Sequence, residues 1–93
     1  MRLLVDKSFE KDIKKISDKK ILNAIADCIE DIQERKKLSD IPNCKKLAGS
    51  KNCFRIRIGD YRLGFVFENN TIELIRFLHR SKMYDFFPPR FKL

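Results

Sequence analysis

Phe54-Arg55-Ile56-Arg57-Ile58-Gly59-Asp60-Tyr61-Arg62 decides how this chain folds. Phe54, Ile56 and Ile58 alternate with Arg55 and Arg57, the period-two pattern of a strand with one buried face. Gly59-Asp60 is a turn signal. The run from Tyr61 to Glu68 is rich in aromatic and β-branched residues, as strands are. Glu68-Asn69-Asn70-Thr71 marks a second tight turn, because Asn tolerates positive φ. Ile72 to His79 reads as a third strand. Three strands so tightly joined make an antiparallel meander.

Upstream of the meander the period changes. Residues 18–37 form the clearest helix, with Ile21, Ile25, Ile29 and Ile32 on one face, Ala24 and Cys28 beside them, and charge opposite. A shorter helix is predicted around Phe9, Ile13 and Ile16, capped by Asp6 or Ser8; Asp18 caps the longer one. So short a link makes the two a helical hairpin. Arg2-Leu3-Leu4-Val5 is an N-terminal strand. Ser39 to Asn43 is a loop, and Lys45 to Ser50 reads as irregular. Ser81 to Phe87 forms a short helix stopped by Pro88-Pro89, and Arg90 to Leu93 is a loose tail.

The expected architecture is therefore α+β: an N-terminal strand, a helical hairpin packed on one face of a small antiparallel sheet, and a short C-terminal helix. No repeat or linker divides the 93 residues, so residues 1–93 are read as one domain. Because Arg55 and Arg57 point away from Phe54, Ile56 and Ile58, the face that the hairpin leaves bare should carry the arginines.

Net charge is +8 and lopsided. Residues 1–44 carry ten Lys/Arg against nine Asp/Glu, while residues 45–93 carry eleven against four. A basic half attracts polyanions and speeds encounter with them. Cys28, Cys44 and Cys53 lack metal-like spacing and His79 is the only histidine, which argues against zinc or any metal. Unpaired thiols suit a cytoplasmic protein. No apolar run follows Met1 and none approaches bilayer length, so neither a leader nor a membrane partner is expected.

These residues suggest chemistry on a phosphodiester. Arginine holds phosphate through a planar fork of donors. RNA carries its own nucleophile, the ribose 2′-hydroxyl, so cleavage needs no metal and no cofactor. It needs proton transfers and charge neutralisation on the phosphoryl oxygens. Arg55, Arg57, Arg62 and Arg80 suit the second need, and His79 or Tyr84 the first. Each has a duller reading: solvated strand arginines that blunt aggregation, a structural histidine, a tyrosine that docks a helix. Asp60, Glu68 and Glu73 are too scattered for paired-carboxylate chemistry.

At Phe54 to Arg62, with His79-Arg80 and Tyr84 downstream, the sequence resembles the RelE/ParE superfamily of bacterial toxins. The resemblance covers nearly the whole chain. It implies a toxin of a toxin–antitoxin pair. In the RelE-like branch that means an endoribonuclease cutting mRNA on the ribosome; the alternative is a ParE-like toxin that inhibits DNA gyrase and cuts nothing. Positions matching the nuclease pattern are Arg55, Arg57, Arg62, His79, Arg80 and Tyr84, with Lys51 and Lys82 as further phosphate contacts. The resemblance also implies a cognate antitoxin, received near Phe65, Phe67 and the aromatic tail, and operator DNA reached through the toxin–antitoxin complex.

Overall fold

The computed structural model describes residues 1–88. In chain order its elements are β1 (Arg2–Val5), α1 (Lys7–Lys14), α2 (Lys19–Glu34), a 3-10 turn (Leu38–Asp40), β2 (Cys44–Lys46), β3 (Cys53–Ile58), β4 (Tyr61–Glu68), β5 (Thr71–His79) and α3 (Met83–Phe86). The strands form one sheet in the order β1-β5-β4-β3-β2. Only β1, against β5, is parallel; β2 through β5 pair antiparallel. The expected α+β architecture is present. The tail from Arg90 lies outside the described residues.

Local chemistry accounts for the boundaries. Asp6 caps α1 by accepting from the Ser8 amide at 3.0 Å, and Asp18 caps α2 by accepting from Lys20 at 2.9 Å. Asn69 and Asn70 both have positive φ, 50° and 56°, the conformation a two-residue type I′ hairpin requires. The β2 strand corrects the expectation of an irregular segment. Cys44, Lys45 and Lys46 pair with Ile56, Arg55 and Phe54.

Hairpin and sheet enclose the main core. Phe9 of α1 and Ile25 and Ile32 of α2 pack with Ile56, Leu63, Phe65, Ile72, Leu74 and Phe77 of the sheet. Phe9 meets Phe77 edge-on at 6.4 Å, and Phe54 stacks on Phe65 at 5.4 Å. The Ile21–Ile32 stripe is thus core. Phe65 is too, and the antitoxin-receiving role imagined for it has no exposed ring to use.

The opposite face is not bare, as the sequence suggested. α3 lies across it, and Met83 and Phe87 pack with Leu47 and Cys53 in a second core, edged by Val66, Ile75 and Leu78. Gly64 makes this possible: a Cβ there would stand 2.7 Å from Met83 Cε and 2.8 Å from Phe87 Cδ2.

One irregularity sets the orientation of everything downstream. Phe65 pairs with Leu74 but Gly64 with Arg76, so Ile75 is an extra residue in β5. Such a bulge exchanges the faces of all later side chains. Ile72, Leu74 and Phe77 therefore all join the helical-side core, while Ile75 and Leu78 join the α3 side.

Candidate nucleic-acid interface

The site is built by register. Arg55 and Arg57 share the α3 face of β3, and Arg57 stands directly opposite Arg62 on β4. Like charges directly across a ladder destabilise it, so this pair breaks a local rule without a visible structural gain. Such breaches concentrate at functional sites. Arg62 is held in place by its own turn: Nη1 donates to the Gly59 and Tyr61 carbonyls, both at 2.9 Å. Gly59, at φ +58°, opens that turn. The Arg80 amide donates to the Asp60 carbonyl at 2.8 Å, tying the end of β5 to the same turn.

The electrostatics centre on Arg62. The Arg62 guanidinium lies below its usual range, first through burial, then through repulsion from Arg55, Arg57 and Arg80; Tyr84 opposes the shift. These five side chains share one field. Among the described residues the ion pairs are Asp31–Arg35 and Asp12–Arg76, so no carboxylate neutralises the four arginines. Tyr84 comes from α3, seated by Met83 and Phe87 over Gly64, and is 62% exposed. A half-exposed cluster of uncompensated guanidiniums beside an exposed phenol is a ready anion site.

His79, Lys82 and Lys51 are not part of it. The bulge sends His79 to the helical side, where it pairs with Tyr61, its ring edge-on at 5.6 Å. Tyr61 in turn stacks on Phe77 at 5.1 Å. The imidazole Nδ1 accepts from the Ser81 amide at 3.2 Å. Lys82 lines a cleft beside His79, with Asp12, Lys15, Arg76 and Phe86. Lys51 precedes β3 at the end remote from Arg57, next to Asn52, whose side chain donates to Glu68. The expected meeting of His79 with Arg62 therefore does not occur. Sequence reasoning also missed Lys45 and Lys46, which line a cleft of about 400 Å³ with Arg55 and Tyr84. The signal was there, since a basic pair lay just ahead of a basic strand.

A family model for the ParE toxin of type II toxin-antitoxin systems (parDE) matches residues 3–84. The chain belongs to the RelE/ParE superfamily of toxins. This toxin is 39% identical to Toxin RelE3 of Methanocaldococcus jannaschii over 89 residues, which span 95% of this chain and 100% of that protein. A RelB-RelE antitoxin-toxin complex from Methanococcus jannaschii superposes with a TM-score of 0.78 at 38% identity, covering 91% of this toxin and 99% of that chain. The YoeB dimer from Staphylococcus aureus shares the fold, with a TM-score of 0.69 at 19% identity over 85% of this chain and 95% of its own. Among the described residues no helix is long and apolar enough to cross a membrane.

Proposed function

We propose that this RelE-like toxin is an endoribonuclease that cuts mRNA on the ribosome. The ribose 2′-hydroxyl attacks the adjacent phosphate and expels the 5′-oxygen of the next nucleotide. The observation that carries this reading is the convergence of Arg55, Arg57, Arg62, Arg80 and Tyr84 on one face. Arg62, immobilised by two carbonyls, holds the phosphate without further ordering, while the other guanidiniums neutralise the charge that grows on its oxygens. Tyr84 is the one member besides the always-charged arginines that can give up a proton, so it protonates the leaving 5′-oxygen, while solvent water takes the proton of the 2′-hydroxyl. His79 has no part, because its ring lies on the other side of the sheet. The substrate's own nucleophile makes a metal unnecessary.

The toxin also has a cognate antitoxin that silences it. The RelB-RelE complex is the support for this, being a relative at 38% identity captured with its antitoxin.

The experiment is induced expression of Arg62→Ala, Tyr84→Phe and His79→Ala variants, with new 5′ ends on cellular mRNA mapped by primer extension. Arg62→Ala and Tyr84→Phe should stop cleavage and growth arrest; His79→Ala should cut like the parent. A parent that leaves mRNA whole but provokes a DNA-damage response is a gyrase inhibitor instead.

A further inference from the structure

The structure assigns a second phosphate subsite to Lys45 and Arg55, one that extends the arginine cluster across the sheet to its β2 edge and carries the strand of RNA flanking the cut. This rests on the nuclease reading for the identity of the ligand. Its own basis is the edge strand. β2 is three residues long, two of them lysine. A lysine on an edge ordinarily discourages edge-to-edge pairing. Lys45, however, is directly opposite Arg55 on the face that bears the cluster. It is the second cross-strand pair of like charges there, after Arg57 and Arg62. Repulsion of this kind is relieved by an anion lying between the partners.

Two clefts meet at Lys45. One is lined also by Arg55, Tyr84 and Pro88, and so opens onto the cluster. The other runs past Arg55, Arg57 and Asn43 and off the β2 edge. Adjacent strands lie about 4.8 Å apart, so the β2 backbone is about 10 Å from that of β4, where Arg62 sits. An extended ligand carrying more than one phosphate, such as a single strand, reaches both Arg62 and Lys45 without drawing the two side chains together. Lysine is a point charge on a flexible stem and reads no base. The subsite therefore supplies grip and direction, with no preference for sequence.

Binding of the full-length toxin to a fluorescein-labelled single-stranded 2′-O-methyl oligonucleotide, which keeps the phosphates and removes the nucleophile, is measured by anisotropy over a range of KCl. Lys45→Gln should flatten the log–log salt slope by about 0.7, the value of one phosphate contact on a single strand. Lys45→Arg should keep the parent slope, and so should Lys19→Gln on α2. A Lys45→Gln slope equal to the parent's overturns the assignment, as does a parent with no salt-dependent binding. If the slope changes while the parent makes no new RNA ends in cells, the subsite stands and the nuclease reading falls.

Discussion

Asp12 on α1 grips Arg76 of β5 through two hydrogen bonds, Nε to Oδ2 at 2.7 Å and Nη2 to Oδ1 at 3.1 Å, while Oδ2 also accepts the Phe77 amide at 2.9 Å. One carboxylate, 5% exposed, thus satisfies a guanidinium and a backbone donor of β5 beyond the reach of β1, some 64 residues away. The Arg76 guanidinium also lies 5.4 Å over the Phe86 ring, which connects α1 to α3 across the sheet edge. Removing one partner of a buried pair strands the other. Asp12→Ala should therefore lower stability by about 3 kcal/mol in urea unfolding. A loss below about 0.5 kcal/mol, the ordinary scatter of surface changes, would mean the clasp contributes nothing.

Gly64→Ala places a methyl group where Met83 and Phe87 already stand. Overpacking of this kind costs about 1–3 kcal/mol, and the way to relieve it is for α3 to lift. Tyr84 rides on α3, so cleavage should fall by far more than stability does. Thermal melts read the first and mRNA-end mapping the second. A variant that melts early yet cuts normally would show that Tyr84 is not positioned by that contact.

Arg62→Lys keeps the charge and loses the fork. Arg62 spends Nη1 on the Gly59 and Tyr61 carbonyls and still has other donors for a phosphate. A lysine ammonium cannot be fixed in that way. Cleavage should drop by about 10²-fold, the scale set by losing one preorganised donor to a developing oxyanion. Full activity in Arg62→Lys would mean that charge alone suffices and geometry does not matter.

Cys28 and Cys44 are pushed up to about 11, Cys28 by burial and then by Asp31, Cys44 by burial alone against the pull of Arg55. The thiolate is the reactive form, so iodoacetamide at pH 8 should modify both on the order of 100-fold more slowly than a free cysteine. Stability follows the same protons. The unfolded chain loses them first, so this contribution is complete below the ordinary thiol range and disappears as pH rises towards about 11. At the acid end the sign reverses. The Asp6 carboxyl is held below its usual range, chiefly by the Ser8 hydroxyl and then the Ser8 amide, so its stabilisation is present above the ordinary carboxylate range and is lost as pH falls. Urea midpoints across pH test both directions.

The elements legible in the sequence were those whose burial imposes a period. α2 shows Ile25 and Ile32 at helical spacing, and β3 shows Phe54, Ile56 and Ile58 at strand spacing. The arginine row follows from the same alternation. β2 was illegible because an edge strand of three residues with both faces polar has no period to read. α3 on the second face had a signal, Gly64 inside a strand, which marks close approach by another segment. His79 was misplaced for a subtler reason. Neighbours on a regular strand face opposite ways, so His79 and Arg80 cannot both meet Arg62, and which of them does is set by the Ile75 insertion, which has no composition cue. That insertion brings Arg80 to Arg62 and takes its neighbour His79 away.

The parallel ladder between β1 and β5 couples the beginning of the chain to its end. Arg2 to Val5 have no partner until Thr71 to Leu74 exist, and the Asp6 amide likewise waits for the Leu74 carbonyl. At about 5–20 residues per second, the newborn polypeptide spends several seconds with its first strand unsatisfied. Arg80 and Tyr84 are made later still. Connectivity alone thus withholds the complete sheet, and the arginine cluster on it, until β5 and α3 have been made.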